Sequence, residues 1–432
     1  MSKSKIGILG GGVSSLAFSH FYEKKVSIIE KESTLGGLCR SFIDDDGVAW
    51  DIGPHITFSK NQEILEFIIS LTEMNELKRS NRIIHDGRFI KYPFENDLSS
   101  LSDKDRDYCL NTFLDNPYEN YPSTNMLEFF YEIFGEGITR LFLEPYNRKI
   151  WKYETSFMDK QMVERIPKPP PEDIIASAKG EQTEGYLHQL YFHYPEKGGF
   201  QTIVNSLAKK IENKAEVFLE NKIVGINLSN DIEIVTDKQK FNFDKIISTI
   251  PIHELLPIIN PEPPSEIMEA LSKLKYNSIH ITCLKVKGDW LGDNFAITIA
   301  DPDIIFHRLS RLNFLGEHYA QRGYTNIMVE TTFRKGLKED LDHTTLEDKI
   351  IKDLKSLDIV NVEKIENIFT NTFKYAYVIY DQNHRKNTDL VLDYLKSVNI
   401  TPLGRFGTFE YINSDKAIEP VSYTHLRAHE TR

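Results

Sequence analysis

An apolar run, a glycine triplet and an acid about twenty residues further on constrain this chain more than any other feature. Residues 6–16 read IGILGGGVSSL, and residues 26–30 read VSIIE. Ile6, Ile8 and Leu9 predict a short buried strand. Gly10, Gly11 and Gly12 turn the chain, and Leu16, Ala17 and Phe18 carry it into a helix. Val26, Ile28 and Ile29 predict a second strand ending at Glu30. Strand, glycine turn, helix, strand and terminal acid make up the βαβ dinucleotide fingerprint. The glycines let backbone amides approach a pyrophosphate, and the positive helix end faces its charge. On this pattern Gly10, Gly12, Val13 and Ser14 line the pyrophosphate turn, while Glu30 and Lys31 mark the ribose end. Ser15 holds the third glycine position and is small enough for helix and strand to pack closely.

A chain of 432 residues is too long for one compact core and predicts two domains. A net charge of -12 argues against nucleic acid as a partner and leaves room only for a local basic site. The three cysteines, Cys39, Cys109 and Cys283, lack metal-ligand spacing and suit a reducing compartment. The opening MSKSKIG has no apolar leader core, and no run of about eighteen apolar residues follows. The expectation is a cytoplasmic protein without a membrane span.

Two further glycine turns and a glycine-proline turn punctuate the chain. Gly36-Gly37 is followed by Leu38 and Arg40, a cation placed to cap the other side of a pyrophosphate. Gly53-Pro54-His55 ends the strand-like VAWDI, where His55 would lie beside the cofactor. Gly404-Arg405 and Gly407 precede a helix that begins near Asn413. Between these turns, residues 61–150 read mainly helical, with a hairpin at Asp86-Gly87. The stripe of Phe129, Phe130 and Phe134 predicts core, whereas polar and aromatic types alternate at Tyr146, Asn147 and Trp151. RIPKPPPEDII reads as a stiff proline-rich linker carrying Arg165. Residues 191–260 return to α/β character with strands at hairpin spacing, and residues 264–370 are strand-rich. Residues 1–60, 191–260 and 371–420 therefore predict one discontinuous dinucleotide-binding domain, with 61–190 and 261–370 as an insert. Val421–Arg432 show no apolar period and read as a non-native tail.

These pieces in this order resemble the flavoprotein superfamily of amine oxidases, protoporphyrinogen oxidases and UDP-galactopyranose mutases. GGGVSSL, Glu30, GGLCRSF, DIGPHITF and GRFGTFEYINSD carry the likeness across residues 4–418. The resemblance implies an α/β fold: a Rossmann-like FAD-binding domain of glutathione-reductase type with an inserted α+β substrate domain. It implies FAD as cofactor, with Gly404, Arg405 and Ser414 at the flavin end and Val224 at the adenine.

Within the superfamily the chain looks most like the mutases. PYNRKIW resembles their substrate segment and points to Asn147 and Trp151. ERIPKPP and FHRLS resemble segments bearing diphosphate-binding arginines, here Arg165 and Arg308. KYPFEN, YAYVIYD and FEYIN place Tyr92, Tyr377 and Tyr411 at the substrate. Thr298 stands where the pattern has an aromatic residue, Glu95 where it has glutamine and Asn413 where it often has aspartate.

The implied catalytic set is Arg165, Arg308 and His55, with the flavin carrying the chemistry. The implied reaction interconverts pyranose and furanose forms of a UDP-sugar through a reduced-flavin N5–sugar adduct, with NAD(P)H as reductant. The alternative is an FAD oxidoreductase of the amine oxidase or protoporphyrinogen oxidase kind, moving hydride from substrate to flavin. No metal-ligand spacing is present in either reading.

Overall fold

The computed structural model describes residues 5–163, 168–184, 190–229, 231–334 and 342–423, the last four of these as backbone only. The chain divides into two compact units. One comprises Met1–Asn75, His193–Lys275 and Asn383–Arg432, and the other Glu76–Phe192 and Tyr276–Gln382. The breaks thus fall near residues 75, 192, 275 and 382, beyond the positions 60, 190, 260 and 370 drawn from the sequence.

The first unit is built on a five-stranded parallel sheet. Its order is Ile400–Pro402, Lys245–Ser248, Ile6–Leu9, Val26–Ile29 and Ala215–Phe218. Ile6–Leu9 is central and pairs in parallel with Lys245–Ser248 on one side and Val26–Ile29 on the other. All four of its residues are buried, as a strand covered on both faces requires. Helices Val13–Phe21, Gln201–Lys210 and Ser414–Tyr423 supply that cover, packing Leu16, Val204, Leu207 and Ile418 against Ile8 and Ile28. A four-stranded sheet of Lys240–Phe243, Ile232–Thr236, Ile223–Leu228 and Ile259–Asn260 completes the unit.

The second unit is built on a seven-stranded mixed sheet. Its order is Ile365–Ile379, Lys275–Lys287, Tyr324–Phe333, Arg308–Arg311, Ala296–Ile299, Asn81–His85 and Arg88–Lys91. Asp86 and Gly87 close the last hairpin with φ of 48° and 70°, the paired left-handed geometry of a type I′ turn. Helix His343–Leu357 packs Ile350 and Leu354 on one face against Leu284, Phe306 and Leu309. Phe129, Phe130 and Phe134 are core. Their helix, Met126–Ile138, breaks at Gly135 (φ 72°), where a Cβ would stand 2.6 Å from the Thr112 carbonyl. A short π segment then leads into helix Glu144–Trp151.

Three readings of the sequence change. The proline-rich stretch is not loop throughout, because helix Pro171–Ala178 starts on Pro171, where a missing N–H costs nothing. Ala215–Phe218 joins no hairpin but extends the parallel sheet beside Val26–Ile29. The last helix runs on through Val421 to Tyr423, into the segment set aside as a tail, and residues 424–432 lie outside the described residues. No helix among the described residues is long and apolar enough to cross a membrane.

Candidate active site

In the first unit three glycine turns converge on the head of helix Val13–Phe21. Gly10 (φ 92°) donates its N–H to the Ile29 carbonyl at 2.9 Å. Gly11 donates to Glu30 Oε2 at 2.6 Å, and Glu32 N–H donates to Oε1 at 2.9 Å. Glu30 is buried, so these two bonds hold its charge in place. The second turn touches the first: Gly36 N–H donates to the Gly11 carbonyl at 2.8 Å, and a Cβ on Gly37 would lie 3.3 Å from Gly12 Cα. The third does likewise, since a Cβ on Gly404 (φ 75°) would meet Ser14 Oγ at 2.7 Å.

Gly12 is different. A Cβ there would meet nothing within 4 Å, whereas one on Gly10 or Gly11 would collide with Thr249 or Leu35. Gly12 is also the N-cap of the helix and, having no side chain, makes no cap hydrogen bond to the helix amides. Open space, uncapped amides and a positive helix end fit a pyrophosphate.

The same unit carries the other residues expected at the cofactor. Arg40 Nε donates to the Gly37 carbonyl at 3.0 Å and Nη1 to Glu32 at 3.1 Å, so its charge is already shared. His55 Nε2 lies 2.9 Å from the Leu38 carbonyl, its ring edge-on to Phe200 at 5.5 Å. Arg405 Nη1 donates to the Ile412 carbonyl at 2.8 Å and lies 4.3 Å over the Tyr411 ring. Tyr411 thus partners Arg405 in this unit, whereas Tyr377 belongs to the other. Val224 is exposed, three residues after Asn221, whose N–H donates to the Glu30 carbonyl at 2.9 Å. Val13 is buried, Ser414 opens the last helix, and Lys31 lies 3.6 Å from Glu254. Asp51 was missed. Its buried carboxylate accepts from Ser41, Tyr194 and the Phe200 N–H, pinning the start of helix Gln201–Lys210 under the second turn. Burial pushes its carboxyl up, and the Ser41 and Tyr194 bonds oppose that.

In the second unit Arg308 anchors a separate cluster. It pairs across the sheet with Thr298 on one side and Glu330 on the other. Its Nε and Nη2 each lie 2.6 Å from a Glu330 oxygen, a forked ion pair. Burial works against the Arg308 charge, but Glu330 and Tyr377 outweigh it and hold the guanidinium well above its usual range. Arg308 is therefore already paired within its own sheet. Glu330, 1% exposed, escaped notice because an acid inside TNIMVETTF reads as an outward-facing strand residue.

Tyr377 Oη lies 3.5 Å from Glu330 Oε2, and its ring meets Trp151 edge to face at 5.6 Å. Trp151 Nε1 donates to Asn147 Oδ1 at 2.8 Å, and Asn147 Nδ2 donates to the Leu143 carbonyl at 2.7 Å. Asn277, fully buried, donates to the Ile150 and Trp151 carbonyls at 3.0 and 2.6 Å and fixes the end of that helix. Asn147, Trp151, Tyr377 and Arg308 are thus one continuous group. Arg79 links Tyr92 to it: burial lowers Arg79, the Tyr92 phenol opposes that, and the nearby Arg308 charge adds to it. Burial also pushes Glu95 up to about 7. Arg165 lies outside the described residues.

Residues 19–377 match the flavin containing amine oxidoreductases. The chain belongs to this family. It is an FAD-dependent enzyme of the oxidoreductase or isomerase kind, and the open cradle at Gly12 suits that cofactor. Among curated proteins it is 20% identical to the UDP-galactopyranose mutase of Mycoplasma genitalium, over 95% of this chain and 91% of the relative. It is 22% identical to the protoporphyrinogen oxidase of Dictyostelium discoideum, over 66% of this chain and 67% of the relative. Among solved structures, a reduced UDP-galactopyranose mutase superposes with a TM-score of 0.90 at 24% identity, covering 100% of this chain and 97% of that one.

Proposed function

We propose that the chain interconverts the pyranose and furanose forms of a UDP-sugar. The observation that carries this is the single group formed by Arg308, Tyr377, Trp151 and Asn147: a cation, a phenol, an aromatic wall and an amide. The full-length likeness to two mutases supports it. The first unit, holding all three glycine turns, is read as the FAD domain, and the second as the substrate domain.

Bound FAD, reduced by NAD(P)H, supplies the nucleophile toward the anomeric carbon of the sugar. The chain's own residues hold the departing diphosphate nearby. Arg308 has five N–H donors, two of them held by Glu330, and a diphosphate takes the free ones and competes for the fork. Tyr377 and Tyr92 add neutral donors, and Arg165 a second cation. Trp151 and Asn147 shape the sugar side. His55 supports the Leu38 turn. A locally cationic site lets a protein of net charge -12 take an anion in the cytoplasm.

The test is an isomerisation assay on UDP-galactopyranose with oxidised and with reduced enzyme. Turnover only in the reduced state, lost in Arg308→Ala, is expected. Oxygen consumption with an amine or porphyrinogen and no isomerisation would instead establish the oxidoreductase reading.

A further inference from the structure

Beside the Arg308 fork lies an ionisable group that the reaction above leaves idle. His307 is 1% exposed, and among the described residues neither ring nitrogen has a hydrogen-bond partner. Its backbone is held firmly. The N–H donates to the Glu330 carbonyl at 3.0 Å, and the carbonyl accepts from the Ile299 N–H at 3.0 Å. This leaves Nε2 3.9 Å from Glu330 Oε2. The groups facing the ring come from three elements: Arg308, which follows His307 and opens strand Arg308–Arg311, Glu330 on the neighbouring strand, and Tyr146, Lys149 and Lys152 from helix Glu144–Trp151 and its end. Tyr377 reaches Glu330 from a fourth. Burial first, then the charges of Arg308 and the two lysines, hold His307 neutral, well below its usual range.

Glu330 and Arg308 are unequally placed. The glutamate side chain is 1% exposed, while that of the arginine is 33% exposed. An anion that competes for the arginine fork therefore threatens to leave a buried carboxylate without a counter-charge, the costly half of a broken ion pair. We propose that His307 is the reserve cation of Glu330. As a substrate phosphate draws Arg308 away, Nε2 takes up one proton from solvent and donates it toward Oε2, so that anion binding consumes a proton. The proposal rests on the anion-binding role given to Arg308 above. His307 acts through Glu330 and Arg308 and is a positioning residue.

The imidazole holds its proton more tightly in the bound state than in the free one. Affinity therefore falls as pH rises between those two values, by about tenfold per pH unit for one proton. The experiment is calorimetric titration of the FAD-loaded enzyme near pH 8, in two buffers of different ionisation enthalpy. The ligands are UDP and sulfate, neither of which exchanges a proton there. Uptake of about one proton with both ligands in the wild type, and none in His307→Gln of unchanged flavin spectrum, is the expected result. Binding without uptake in the wild type, or equal uptake in His307→Gln, overturns the coupling. Sulfate bound with uptake but UDP not bound upholds the coupling and overturns the nucleotide-sugar reading. Neither ligand bound overturns both. His307→Asn is a second variant, and a flat wild-type profile of Kd against pH overturns the proposal whatever the variants do.

Discussion

At the scale of the residue, two neighbouring glycines serve opposite ends. Gly10 has φ 92° and no room for a Cβ, while Gly12 has φ -74° and open space. Gly10→Ala should destabilise the protein by about 1–3 kcal/mol through backbone strain alone. Gly12→Val should leave the apoprotein within about 1 kcal/mol of wild type yet abolish FAD retention, because the side chain fills the cradle. Urea unfolding of apoprotein and flavin absorbance per chain separate the two outcomes. Arg308 and Glu330 show a similar asymmetry. Arg308→Ala takes both fork bonds from a buried carboxylate, which His307 offsets only by taking up a proton, and should cost about 3–5 kcal/mol, more than Glu330→Gln, which leaves an arginine that can reach water. Unfolding midpoints of the two variants, compared at neutral pH, check that order.

At the scale of the element, the closing helix Ser414–Tyr423 ties the first unit together. Ala417 and Ile418 pack into the same core as Leu16 of the helix beneath the glycine triplet, and Glu419 accepts from Asn61 at 3.1 Å. Ile418→Ala should cost about 2–5 kcal/mol and loosen FAD binding together with the fold, read as a joint fall in melting temperature and flavin content. The helix start near Asn413 was legible because Gly404 and Gly407 punctuate the chain and Asp415 marks a first turn. The strand role of Ala215–Phe218 was not. Its short apolar-polar alternation suits a hairpin as well as a parallel edge, and only its backbone pairing to Val26–Ile29 separates them.

At the scale of the whole molecule, two buried groups give stability opposing slopes in pH. Burial raises Glu95 to about 7, so the folded state binds more protons there and stability falls as pH climbs from 4.5 to about 7. Burial lowers Lys149 to about 7, so the folded state binds fewer and stability rises from about pH 7 toward 10.5. Glu95→Gln should remove the first slope and add on the order of 3 kcal/mol at pH 8. Denaturant unfolding across pH 5–9 on wild type and Glu95→Gln measures it, and an unchanged slope would show that Glu95 ionises freely in the folded protein.

By itself the sequence determined the parallel βαβ core, the three glycine turns and the cationic character of Arg308, because each is written in local spacing. Glycine is favoured where φ is positive or backbones touch, and an apolar run favours burial. Only the tertiary structure decided that Gly12, of the three glycines in the first turn, borders open space, that Arg308 is held by Glu330, and that Asn277 fixes Trp151. Those depend on which elements become neighbours, and partners 22 residues apart, as Arg308 and Glu330 are, or 126 apart, as Asn277 and Trp151 are, leave no periodic trace in the chain.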